Sequence, residues 1–225
     1  MVQTHLFREE KNKVEIIDDQ PGQSVREKTE LLLSAGYCQG GYNVMIGLKK
    51  GTVKLMPHQS EWNENAENTV RLLRQLLGET AVDIQHVGST SIYSIHAKPI
   101  IDIAVALNDV NDILPFTEVL KEHNILFHEQ DIADQRYFVM EHDDIRTHHI
   151  HIVKWKGTAW NNYINFRDYL NAYTEKAMMY NELKQSLAAQ FPNDRRSYTA
   201  GKQELIGRLL SEAAAWRRGS MNEQH

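Results

Sequence analysis

Apolar residues recur three and four apart along residues 61–77, with Val70, Leu73 and Leu77 on one face and Gly78 directly after them. That is the pattern of an amphipathic helix closed by glycine. The period then changes. Residues 81–87 alternate as a strand does, and 99–105 form a nearly continuous β-branched run bounded by Pro99. Between them lie the small-residue turn Gly88-Ser89-Thr90 and a short helical piece. After a turn at 108–112, residues 113–123 read as a helix with Pro115 tolerated in its first turn. Residues 125–128 and 136–140 read as strands joined by a polar loop, and 141–146 turn into a further strand at 147–154. From Thr158 the pattern is helical. Helices are predicted over 160–173 and 174–191, then over 195–217 after the break Pro192-Asn193-Asp194, with a frayed tail at 220–225.

Residues 1–51 read differently. Residues 7–13 are highly charged, 20–24 are a loop, and 25–35 have helical period with Gly36 as a stop. Residues 37–48 alternate loosely around Gly40-Gly41. A helix, then Gly-Tyr, then a strand ending in Met-Ile-Gly resembles the tail of an N-acetyltransferase domain. No acetyl-CoA phosphate loop precedes it, and a piece of this size could not hold that cofactor. The expectation is an appendage over 1–51, a main domain over 52–218 that opens with a short strand at 53–58, and a disordered tail over 219–225.

The chain has 225 residues, 41% of them apolar and 24% charged, which is ordinary for a globular protein. A net charge of -5 supplies no global basic field of the kind that drives nonspecific nucleic-acid binding. The single cysteine, Cys38, excludes an internal disulfide framework and fits a reducing compartment. No apolar run approaches the roughly 20 residues of a membrane span, and the polar start is no signal peptide, so a soluble, cytoplasmic protein is expected.

Three features bear on chemistry. Asp102 stands alone in an apolar strand, where a carboxylate is costly unless something cationic or hydrogen-bonding meets it. His149 and His151 are two apart on a strand and so share a face, with His148 on the other beside Ile150. Paired imidazoles of this kind hold transition metals or contact phosphate, or are simply hydrogen-bonded sheet residues. Gly88-Ser89-Thr90 reads either as a phosphate loop or as the cap of the next helix. Lys98 can meet phosphate or neutralise Asp102. Arg146 can fork onto an anion or pair with Asp143 or Asp144. Tyr198 and Lys202, four apart, share a helix face. Arg167 with Asp168 and Asp194 with Arg195 read as ion pairs or caps, His96 and Tyr93 as solvated, and Trp155, Trp160, Met178 and Met179 as core. No Walker loop, dinucleotide-binding glycine pattern or serine-hydrolase elbow is present.

The segment His86-x-Gly88-Ser89-Thr90 followed by Lys98-Pro99-Ile100-Ile101-Asp102-Ile103 resembles the signature of the GrpB family. Trp62, residues 165–170, Tyr180, Leu183-Lys184, Asp194-Arg195, Tyr198 and Lys202 extend the resemblance from about 53 to 216. It implies an α/β (α+β) fold of the nucleotidyltransferase superfamily: a mixed sheet with flanking helices and a helical C-terminal half. That superfamily sets Gly-Ser before two strand aspartates one residue apart, which hold magnesium on nucleotide phosphates. Here Asp102 fits the second aspartate, and Ile100 stands where the first should be.

The resemblance thus implies phosphate or nucleotide binding at Gly88, Ser89, Thr90, Lys98 and Arg146. It implies a divalent metal (magnesium, manganese or zinc) at Asp102, His149 and His151, and nucleotidyl transfer with Asp102 in the catalytic role. Two alternatives stay open. One is a non-catalytic accessory module like that appended to some dephospho-CoA kinases, acting with a protein partner or as a homodimer. The other is a metal-dependent hydrolase using Asp102, His149 and His151.

Overall fold

The computed structural model describes residues 46–128 and 134–222. The expectations for residues 1–45, for the loop at 129–133 and for the last three residues lie outside the described residues. The last part of the expected appendage, 46–51, is described, and it joins the sheet of the main domain through strand β1 (Leu48–Lys49).

One mixed sheet organises the rest. β2 (Asp83–Val87) pairs antiparallel with β3 (Ile101–Leu107), which runs parallel to β6 (Ile145–Lys154). β5 (Gln135–His142) and β4 (Ile125–Phe127) follow antiparallel, giving the order β2-β3-β6-β5-β4. β1 lies on β6 ahead of β3, with Leu48 opposite Arg146 and Lys49 opposite Ile145. β5 and β6 are joined by a two-residue turn. Asp143 and Asp144 both take positive φ there, which short aspartate side chains tolerate and which matches the twist of a hairpin.

The two faces of the sheet are filled differently. Ile101, Ile103, Val105 and Leu107 of β3 alternate onto one face, with Ile150 and Ile152 of β6 and Phe138 of β5. They pack on Trp62, Ala66, Leu73 and Leu77 of α1 (Glu61–Leu77), whose bounds and Gly78 stop are those of the sequence pattern. Each fully buried aliphatic side chain contributes about 1.5–3 kcal/mol to folding. On the other face Val87, Ala104, Ala106 and Val153 meet Trp160 of α3 (Thr158–Ala172). The helical half continues with α4 (Thr174–Gln190), α5 (Arg195–Ala200) and α6 (Gln203–Asn222); α3, α4 and α6 close a separate core on Ile92 and Ile95, and Tyr198 of α5 packs on Val53 and Leu187. α2 (Thr117–Glu122) precedes β4.

Several local expectations are corrected. Residues 53–58 are no strand: Val53 N–H donates to Pro192 O, and Met56 makes one isolated bridge to Ala97. Residues 110–116 form a tight 3-10 turn with Pro115 inside it, and only 117–122 are α-helical. The last helix breaks at Gly201-Lys202 into α5 and α6. Met178 and Met179 are not core, being 38% and 42% exposed. No helix among the described residues is long and apolar enough to cross a membrane.

Candidate metal and phosphate site

Asp102 points to the sheet face opposite α1. The parallel register sets it beside His149 and sets Ala104 beside His151, so an alanine leaves room for the second imidazole to reach back. His149 Nδ1 lies 3.0 Å from Asp102 Oδ1, and His151 Nε2 lies 3.4 Å from the same oxygen. The three donor atoms fall within 4.8 Å of one another. Tyr163 of α3 donates its hydroxyl to His151 Nδ1 at 3.1 Å, which leaves Nε2–H to face the carboxylate. His149 donates from Nδ1, and its Nε2 is buried with no hydrogen-bond partner. Tyr137 of β5 walls the pair, its ring 5.6 Å from that of His149 and 5.3 Å from that of His151.

The electrostatics follow from this packing. Burial alone would raise the Asp102 pKa, but the hydrogen bonds and charge of His149 and His151 hold it well below the usual carboxylate range. Burial lowers the pKa of His149, outweighing the opposite pull of Asp102. At neutral pH the cluster is one carboxylate with a neutral imidazole at His149.

Gly88 is the residue that lets β2 approach this cluster. Its φ of +73° is open to glycine, and a Cβ there would come within 2.8 Å of Asp102 Cγ and closer still to Oδ2. The turn that follows is a three-residue 3-10 turn, Ser89–Ser91, without a side-chain cap. Ser89 hydrogen-bonds the buried Tyr180 of α4. Thr90 is fully buried and bonds His86 Nε2 at 2.9 Å on the α1 side, so its hydroxyl is not brought to Asp102. His148, on the same side as α1, bonds Thr69 and Thr147.

Arg146 is buried on the face of Asp102. The pairing of β5 with β6 shifts register between Met140 and Glu141, so that Thr147 is an extra residue and Arg146 turns towards Tyr137. Its partner is Glu141, at 2.9 Å from Nη2 and 3.2 Å from Nε, and neither Asp143 nor Asp144. Lys50 bonds the other oxygen of Glu141 at 2.8 Å. Lys98 makes no ion pair with Asp102. Its ammonium lies 5.5 Å from the centre of the Tyr198 ring, which also carries Lys202 at 4.4 Å. Burial and neighbouring cations lower both lysines to about 8. Lys184, fully buried on α4, donates to His96 O and lies over Tyr180.

The family model described as "GrpB protein" matches residues 52–212. The chain belongs to the GrpB family. It is 38% identical over 173 residues, 75% of this chain and 99% of the relative, to the glutamate-rich protein GrpB of Alkalihalophilus pseudofirmus. It is 33% identical to the UPF0157 protein YqkA of Bacillus subtilis over 77% of this chain, which spans half of that protein's length. The crystal structure of GrpB from Enterococcus faecalis superimposes with a TM-score of 0.67 at 28% identity, over 71% of this chain and 96% of that one.

Within this GrpB domain the structure brings Asp102, His149 and His151 together and sets Gly88 against them. Lys98 and Arg146 lie beside them. Sequence reasoning missed Tyr137 and Tyr163, took Lys184 only as part of the family resemblance, and read Arg195 as half of an ion pair or cap. The spacing of Tyr198 and Lys202 was a signal, but Lys98 comes to the same ring from a distant loop. Arg167, read as an ion pair with Asp168, makes that pair at 2.8 Å and also ties α3 to β2 through Gln85 and His86 O. Asp194 caps α5 through the amides of Arg196 and Ser197, and Arg195 is left to turn elsewhere.

Proposed function

We propose that this GrpB protein binds a nucleotide or a related phosphorylated small molecule at the Asp102 face, together with a divalent metal, and transfers a nucleotidyl group. The observation that carries this reading is the convergence of Asp102, His149 and His151 on one point beside cationic side chains. Metal–ligand bonds of about 2.0–2.1 Å set neighbouring donor atoms about 3.0–3.4 Å apart, the spacing of each imidazole nitrogen from Asp102 Oδ1. The donor set is one ionised carboxylate and two imidazoles, the composition that suits zinc, manganese or iron better than magnesium.

Asp102, His149 and His151 would hold the metal, which when bound supplies Lewis-acid stabilisation of charge on phosphate oxygens. The chain's own residues do the rest. Tyr163 fixes the ring of His151, and Tyr137 keeps water from both imidazoles. Arg146 and Lys98 offset phosphate charge. In the transfer itself an acceptor hydroxyl oxygen bonds to the α-phosphorus and the bond to the bridging oxygen breaks. Diphosphate leaves with that electron pair, and the acceptor proton goes with it. A second reading, metal-dependent hydrolysis, is favoured by the donor set itself, since Ile100 stands where a second strand carboxylate would be.

The test is thermal unfolding of the full chain with nucleoside triphosphates, each with and without magnesium, manganese or zinc. A melting-temperature rise that needs both nucleotide and metal and is lost in Asp102→Asn supports transfer and leads to an activity screen. A rise with metal alone moves the reading to hydrolysis. A flat response across the panel removes both.

A further inference from the structure

Ile100, two residues ahead of Asp102, enters a narrow cleft whose other walls include Lys49, Lys50, Lys98, Arg146 and Arg195. Among the described residues no carboxylate lines it. Glu141 stands behind its wall, shared between Lys50 and Arg146. Five cations against one acid leave the cleft strongly positive in a chain whose net charge is negative. Such an arrangement is self-repelling and is relieved by an anion.

The parts come from four distant places. Lys49 and Lys50 arrive on β1 and the turn after it, ahead of the segment that the family model matches. Lys98 comes from the loop before β3, Arg146 from the bulged start of β6, and Arg195 from the first turn of α5. Lys98 also shares the ring of Tyr198 with Lys202, so the positive surface runs on from the cleft into the helical half.

We propose that this cleft extends the anion site that Lys98 and Arg146 begin, and that the ligand therefore carries two or more linked phosphate groups. Guanidinium forks at Arg146 and Arg195 suit phosphate oxygens, and the lysines add point charges. Glu141 tunes the subsite by holding part of the charge of Arg146. β1 and the turn after it, ahead of the family match at 52–212, supply two of the five cations. This deepens the reading of the Asp102 face as a phosphate site, and it does not depend on a metal.

The experiment is calorimetric titration of the full chain in EDTA with inorganic phosphate, diphosphate and tripolyphosphate at constant ionic strength, with sulfate as control. Tripolyphosphate is expected to bind at least about tenfold more tightly than phosphate, the gain of one further charged hydrogen bond or more. Arg195→Met and Lys49→Met each weaken it several-fold, and Glu141→Gln strengthens it, which a merely damaged fold would not do. Equal binding of all four anions, or unchanged affinity in Arg195→Met and Lys49→Met, overturns the subsite. Asp102→Asn separates the two ideas. If it keeps the tripolyphosphate response while losing the metal-dependent nucleotide shift, both ideas stand. If the wild type shows the metal-dependent shift without the tripolyphosphate response, the subsite alone falls.

Discussion

His148 and His149 are adjacent in the chain and face opposite ways, and the two sides of the sheet that they enter have little in common. On the α1 side His148 is surrounded by aliphatic packing, and both of its ring nitrogens meet threonine hydroxyls. On the other side His149 meets a carboxylate with one nitrogen and nothing with the other. The hydrogen bonds of His148 are complete as they stand. The second side gathers ligand atoms and positive charge at one place, and the proposed function rests on them.

The largest effect that sharpens this contrast is on the α1 side. Ile103→Ala, fully buried on β3 next to Asp102, should lower unfolding free energy by about 2–5 kcal/mol in urea titrations. Metal affinity per folded molecule should be unchanged. Gly88→Ala crosses between the faces. It meets both the positive φ and the Asp102 carboxylate, so about 1–3 kcal/mol of stability should be lost along with metal binding, read by urea unfolding and zinc titration.

Tyr163→Phe tests the open side alone. Without the hydroxyl on His151 Nδ1, zinc or manganese affinity should fall about 10–100-fold, with the melting temperature of the metal-free protein barely moved.

The smallest effect is on pH dependence. Burial holds His148 at about 3 and His86 at about 4, both below the ordinary 6.5. The unfolded chain therefore binds protons at these sites before the folded one does. Their stabilisation is complete above about pH 6.5 and is lost as pH falls towards 4, at about 1.4 kcal/mol per pH unit for each histidine. Urea unfolding between pH 7 and 5 should show this slope, and His86→Gln should reduce it by about half.

Much of the first side was legible in the sequence, because local period decides it. α1 has the bounds its apolar spacing predicts, and β3 is the β-branched run displaced by two residues. That His149 and His151 share a face was also legible from alternation, whereas its being the face of Asp102 depends on the register of β3 with β6, which alternation does not give. Arg146 was not. Counting by twos from His148 puts it on the α1 side, and the bulge at Thr147 reverses that. Nor was residue 195 visible as part of a cleft. Its neighbour Asp194 has a capping role that reads locally, whereas the approach of α5 to β1 and Lys98 depends on how the helical half docks. Residues 53–58 have a strand-like composition but no neighbouring strand to pair with beyond the one bridge.

The parallel pairing of β3 with β6 has a further consequence, for the order of events in folding. Asp102 and His149 are 47 residues apart, and the strands between them lie on the far side of β6 from β3. A local hairpin can bring β5 to β6 early, but joining β6 to β3 closes a long loop and is entropically delayed. The donor set thus comes into being only when the central seam of the sheet closes. On the proposed reading, metal added during refolding would bind only after that seam has formed, so its uptake would time that step.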